Sequence, residues 1–99
     1  MKQLKQQNTI ETVIREERIH EGIKYTYELM RCVGERTHNW RLPLYSIRIA
    51  MVDVDGRESH GEARDLFRDK KSATRFFNRL VKGLCTPIDL RYVVEDELI

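Results

Sequence analysis

Few side chains in this chain have chemistry that could be put to work. They are His20, His38 and His60, Cys32 and Cys85, and two short runs of carboxylates. A nucleophile needs a base beside it, and a zinc site needs ligands at close, repeated spacing. No histidine stands at ligand spacing from a cysteine or from another histidine. A grouping of Cys32, His38 and His60 would have to be assembled by folding alone. There is no Gly-x-Ser-x-Gly elbow, phosphate-binding loop or dinucleotide fingerprint. The residues therefore point to no catalytic group, no metal and no cofactor, and they lean away from an enzyme.

The carboxylates read as structure or as contact surface. Asp53-Val54-Asp55-Gly56 has the flavour of a calcium loop, but Glu58 is misplaced for the twelve-residue pattern, and turn chemistry explains the run. Glu95, Asp96 and Glu97 end the last helical stretch, where the helix dipole disfavours negative charge unless a cation is near. They are either a solvated end paired with Arg91 and other basic groups, or an acidic patch for a basic partner.

Two surfaces and one loop remain as candidates. Lys71, Arg75, Arg79 and Lys82 form a basic stripe, a candidate anion or partner surface. That stripe lacks interleaved aromatics for stacking on single strands. Leu90, Tyr92, Val93, Glu95 and Asp96 form a candidate partner or dimer surface, because the final helix is apolar on two sides. His38 and Trp40, between Gly34 and Pro43, make a candidate loop site for a small ligand. Trp40 acting as a lid over the core edge explains the same residue.

The elements that must carry these residues follow from periodicity. Ala73, Phe76, Phe77, Leu80, Val81 and Leu84 recur at helical steps and predict a helix over 70–82 with one apolar side. Asp69 is placed to cap it, and Gly83 to end it with a residue at positive φ. Thr86-Pro87-Ile88-Asp89 predicts a second helix start, with Thr86 as cap, Pro87 in the first turn and Asp89 reaching back. Leu90, Val93 and Val94 share a face with Glu97, while Ile88 and Tyr92 point elsewhere.

Strands precede the helices. Lys24–Val33 alternates, with Tyr25, Tyr27 and Leu29 on one face. Ile10–Ile23 fits either a strand turning at His20-Glu21-Gly22 or a helix, and the neighbouring strand favours the first. Leu44–Val54 is apolar on both faces and predicts a central strand. Asp55-Gly56 predicts a type I′ hairpin, and Arg57 to about Arg64 a polar edge strand with a bulge at Gly61. The order implies an α+β fold: an antiparallel meander of three to four strands, then a C-terminal helical hairpin packed on one face. The apolar side of the first helix should lie on Tyr45, Ile47, Ile49 and Met51. Residues 1–9 read as a flexible tail and 10–99 as a single domain.

Composition bounds the rest. The 99 residues are 40% hydrophobic and 34% charged, which suits a folded domain. A net charge of +2 argues against a strongly basic nucleic-acid binder. No apolar run approaches the ~20 residues that span a membrane, and the N-terminus has no apolar signal core. Two distant cysteines read as reduced thiols in a cytoplasmic protein.

A family resemblance rests on Tyr25-Thr26-Tyr27, on Tyr45-Ser46-Ile47-Arg48-Ile49 and above all on the run from Thr86 to Leu98. Its most specific part is Thr-Pro-x-x-Leu-Arg-x-Val-Val-Glu-Asp. With these features the chain, over roughly residues 10–98, resembles an uncharacterised family of small bacterial proteins met mainly in Gram-positive anaerobes. Tyr92 and Glu97 depart from the family pattern, which has a small acidic residue and an aromatic there. The resemblance implies no activity. The function expected is a small non-enzymatic protein–protein interaction or regulatory module, its partner an unknown protein or a second copy. The alternative is a nucleic-acid accessory protein using the basic stripe.

Overall fold

The alternating segments of the first two-thirds form four strands, and the two helical patterns follow. In the computed structural model, which describes residues 9–33 and 43–98, these are β1 (Thr9–His20), β2 (Ile23–Val33), β3 (Leu44–Val52), β4 (Glu58–Phe67), α1 (Lys70–Lys82) and α2 (Pro87–Leu98). The strands make one antiparallel sheet in the order β1-β2-β3-β4, and the fold is α+β. Residues 10–20, open between strand and helix, are strand. Thr9 already belongs to β1, so the expected tail is one residue too long; its remainder lies outside the described residues.

The core forms where one sheet face meets the helices. Tyr25, Tyr27 and Leu29 of β2 and Tyr45, Ile47 and Ile49 of β3 are buried beneath Ala73, Phe76, Phe77, Leu80 and Val81 of α1 and Leu90 of α2. Phe77 and Ile47 have no exposed surface. Burying each such side chain contributes about 1.5–3 kcal/mol. Met51 packs at the margin of the same cluster. The expected seating of α1 on this face is therefore observed. No helix among the described residues is long and apolar enough to cross a membrane.

Local chemistry shapes the connections. Asp69 caps α1 by accepting a bond from the Ser72 amide at 2.8 Å, which holds its carboxyl below the usual range. The β1–β2 hairpin turns through Glu21 at φ +54° and Gly22 at φ +80°, the two left-handed residues of a type I′ turn. The β3–β4 turn differs from expectation: only Gly56 has positive φ. Asp53 explains why, since its Oδ1 accepts from the amides of Asp55 and Arg57, both at 2.9 Å, and holds a wider loop.

Three further expectations are corrected. Gly83 has φ −88°, and the left-handed residue after α1 is Leu84 at φ +52°. The Cys85 amide bonds Leu80 O at 3.0 Å and the Leu84 amide bonds Val81 O at 3.1 Å, a Schellman ending shifted by one residue. Leu84 accepts that backbone because its side chain packs on the core. Gly61 marks no bulge; it pairs in register with Ile49. It is glycine because an added Cβ would lie 2.9 Å from Pro87 Cα, where α2 begins. The irregularity of β4 falls instead at Asp65, φ +56°, whose amide donates to Ser46 Oγ at 2.9 Å. That device lets β4 continue to Phe67, past the expected end at Arg64.

Candidate functional site

The start of α2 is built from a cap and a close approach. Thr86 Oγ1 accepts from the Asp89 amide at 3.2 Å, and Pro87 is buried against Gly61 of β4. This presses α2 onto β4 and points Leu90 into the core at 1% exposure. Leu90 therefore cannot line an open surface, which corrects its place among the partner-surface residues. Val93 and Val94 are half-buried. On the outer side, Ile88 is 73% exposed and Tyr92, one turn on, 59% exposed. The Arg91 guanidinium stands 5.9 Å from the Tyr92 ring centroid. A notch of about 320 Å³ between α2 and β4 is lined by Gly61, Glu62, Ile88, Arg91 and Tyr92, among others.

The acidic end of α2 is partly neutralised. Glu97 pairs with Arg79 of α1 at 2.5 Å, and Glu95 lies 3.7 Å from Arg91. The pair with Arg79 ties the two helices together and supplies the cation that the helix end needs. It also takes one charge from the basic stripe. Lys71, Arg75 and Lys82 remain exposed on the outer side of α1. His38 and Trp40 lie outside the described residues.

The possible chemical centres are dispersed. Cys32 pairs with Leu44 and His60 with Ala50, so about six residues of β3, roughly 20 Å, separate their rows. Among the described residues no three metal-ligating side chains come together. Cys85 sits at the junction of the helices, where Tyr27 Oη donates to its carbonyl at 3.0 Å. Its thiol donates to Thr86 O at 3.4 Å, and burial, aided by the charge of Asp89, pushes it up to about 11. Such a shift keeps the thiol protonated near neutral pH and lowers its nucleophilicity. Burial also pushes the Tyr27 phenol well above its usual value.

One arrangement escaped sequence reasoning. On the sheet face opposite the helices, Arg15, Glu28, Arg48 and Glu62 are register partners across all four strands. Glu28 lies 3.1 Å from Arg48 and 3.8 Å from Arg15, and Arg64 lies 3.1 Å from Glu62. The signal was present as charged residues on the polar faces of the strands. Only the register shows that their signs alternate along one row.

A model of a family of unknown function, DUF6514, matches residues 3–99. The chain belongs to this family. No curated protein and no solved structure matches it. Membership in DUF6514 agrees with the resemblance to an uncharacterised family, and it brings no activity to the surfaces described above.

Proposed function

We propose that this DUF6514 protein is a small non-enzymatic interaction module that binds a protein partner through the outer face of α2. The observation that carries the reading is the pair Ile88 and Tyr92, left largely exposed one turn apart on a helix whose other side is buried. A tyrosine beside an apolar residue and a shallow notch is the kind of anchor that dominates binding energy at interfaces. Glu95 and Asp96, both exposed, give the far end of the same helix a negative rim. The partner that fits is a protein segment with an apolar anchor and basic flanks.

The nucleic-acid alternative retains Lys71, Arg75 and Lys82 but has Arg79 engaged by Glu97, so it is the weaker reading. We infer a bacterial cytoplasm as its location, a reading supported by the resemblance and by two free, half-buried thiols, which suit a reducing compartment.

Site-specific photo-crosslinking in the native cell tests the proposal. A crosslinker at position 92 should trap a discrete heterologous partner, and Ile88→Asp should remove that adduct. A crosslinker at position 71 should not trap it. An adduct equally strong from position 71, or none from position 92, would overturn the reading.

A further inference from the structure

We propose that the sheet face opposite the helices is a self-association surface on which a second copy of this chain docks face to face, about a two-fold axis running along the strands between β2 and β3. This face lies on the side of the sheet opposite the helices and meets the α2 notch only at Glu62 of the edge strand, so it does not rest on the reading above.

The charges on this face are ordered across the sheet. Arg15, Glu28, Arg48 and Glu62 occupy β1 to β4 in one row, so their signs run plus, minus, plus, minus. A two-fold axis along the strands exchanges the outer positions with each other and the inner positions with each other. It sets Arg15 against Glu62 of the second copy, and Glu28 against Arg48, so every facing pair is opposite in sign. An in-plane axis across the strands and centred on this row sets each of its residues against its own copy and faces like charges throughout. The row is therefore complementary to itself in one orientation only, as an isologous contact requires.

The neighbouring rows agree. One row toward the hairpin end holds Glu17, Thr26, Ala50 and His60, and the same axis brings Glu17 to His60 and Thr26 to Ala50. On the other side, Met30 faces Ser46 and Cys32 faces Leu44. Met30 and Ser46 are already buried within the chain, so the half-buried Cys32 and Leu44 supply the apolar surface of these rows, while the charged row sets the orientation. Aligned sheets cross at about 30°, which an axis inclined by about 15° produces; it displaces the outer pairs by roughly one residue, within reach of arginine and glutamate side chains.

The face is large enough. Four strands at about 4.8 Å and nine residues at about 3.4 Å give roughly 600 Å² of projected area per copy. Two copies together clear the roughly 1,000 Å² expected of a specific contact.

Light scattering after size exclusion tests this with two single charge reversals at exposed positions. The wild-type chain should show twice the monomer mass at roughly 100 μM. Arg15→Glu and Glu62→Arg should each weaken self-association by roughly tenfold or more, because each sets like charges against one another at two symmetric places. Mixing the two variants should restore the doubled mass, since the reversed charges are again opposite between them. A wild-type monomer, variants that dimerise as the wild type does, or a mixture that stays monomeric would each overturn the proposal. Crosslinking from position 92 reads the α2 surface alone, so failure of one proposal is distinguishable from failure of the other.

Discussion

Glu21 holds a left-handed backbone, φ +54°, with its side chain largely in solvent and approached among the described residues by His20 at 3.8 Å, too weak a contact to offset the cost. Asparagine tolerates that conformation and is favoured in type I′ turns. Glu21→Asn should therefore stabilise the domain by up to about 1 kcal/mol, read as a Tm higher by a few degrees. Leu84 is also left-handed, but its side chain belongs to the core margin, so the same remedy does not apply there. The Cys85 thiol makes a second expectation at this scale. Its folded value of about 11 lies above its ordinary 9.0, so the folded state prefers the neutral thiol. The resulting stability is complete below pH 9 and is lost as pH rises from 9 towards 11. At pH 8 the thiolate fraction is roughly a hundredfold lower than for an ordinary cysteine, so alkylation of Cys85 in the folded protein should be slower in proportion. Mass spectrometry of a timed iodoacetamide reaction measures it; labelling at the rate of the unfolded chain would contradict the placement.

Between elements, the decisive contact is the seating of α2 on β4. Gly61→Ala places a methyl carbon against the Pro87 backbone and should cost about 1–3 kcal/mol, with α2 displaced outward. Thr86→Ala removes the cap from the same helix and should cost about 1 kcal/mol, while Thr86→Ser should be close to neutral. Urea titrations measure all three, and an unchanged midpoint for Gly61→Ala would mean that α2 does not approach β4 so closely. The sequence allowed a helix start at Thr86 and flagged Gly61 as special, but assigned that glycine the wrong task. A bulge and a close approach call for the same residue, and only the position of another element tells them apart. The charge row has the same limit. Each charged residue was visible as a polar position on a strand, and the sign pattern exists only across four strands.

Across the whole molecule, the described residues share one core, and its stability should rise and fall together. Phe77 has no exposed surface and lies between α1 and the sheet. Phe77→Ala should cost about 3–5 kcal/mol, a large part of the 5–15 kcal/mol that holds such a domain together. Secondary-structure and tertiary probes should then lose signal at the same, lower denaturant concentration. That core was largely legible beforehand. Helical spacing in 70–82, alternation in β2 and β3 and the capping residues at 69 and 86 are local facts, because each element's periodicity follows from its own backbone geometry. From them the sequence alone established strands before helices and an apolar helix side that had to be covered. The tertiary structure decided what depends on partners distant in the chain: the burial of Leu90, the pairing of Arg79 with Glu97, the reason for Gly61 and the charge row on the sheet face opposite the helices. Periodicity states which side of an element is apolar, but not which residue of another element will stand opposite it.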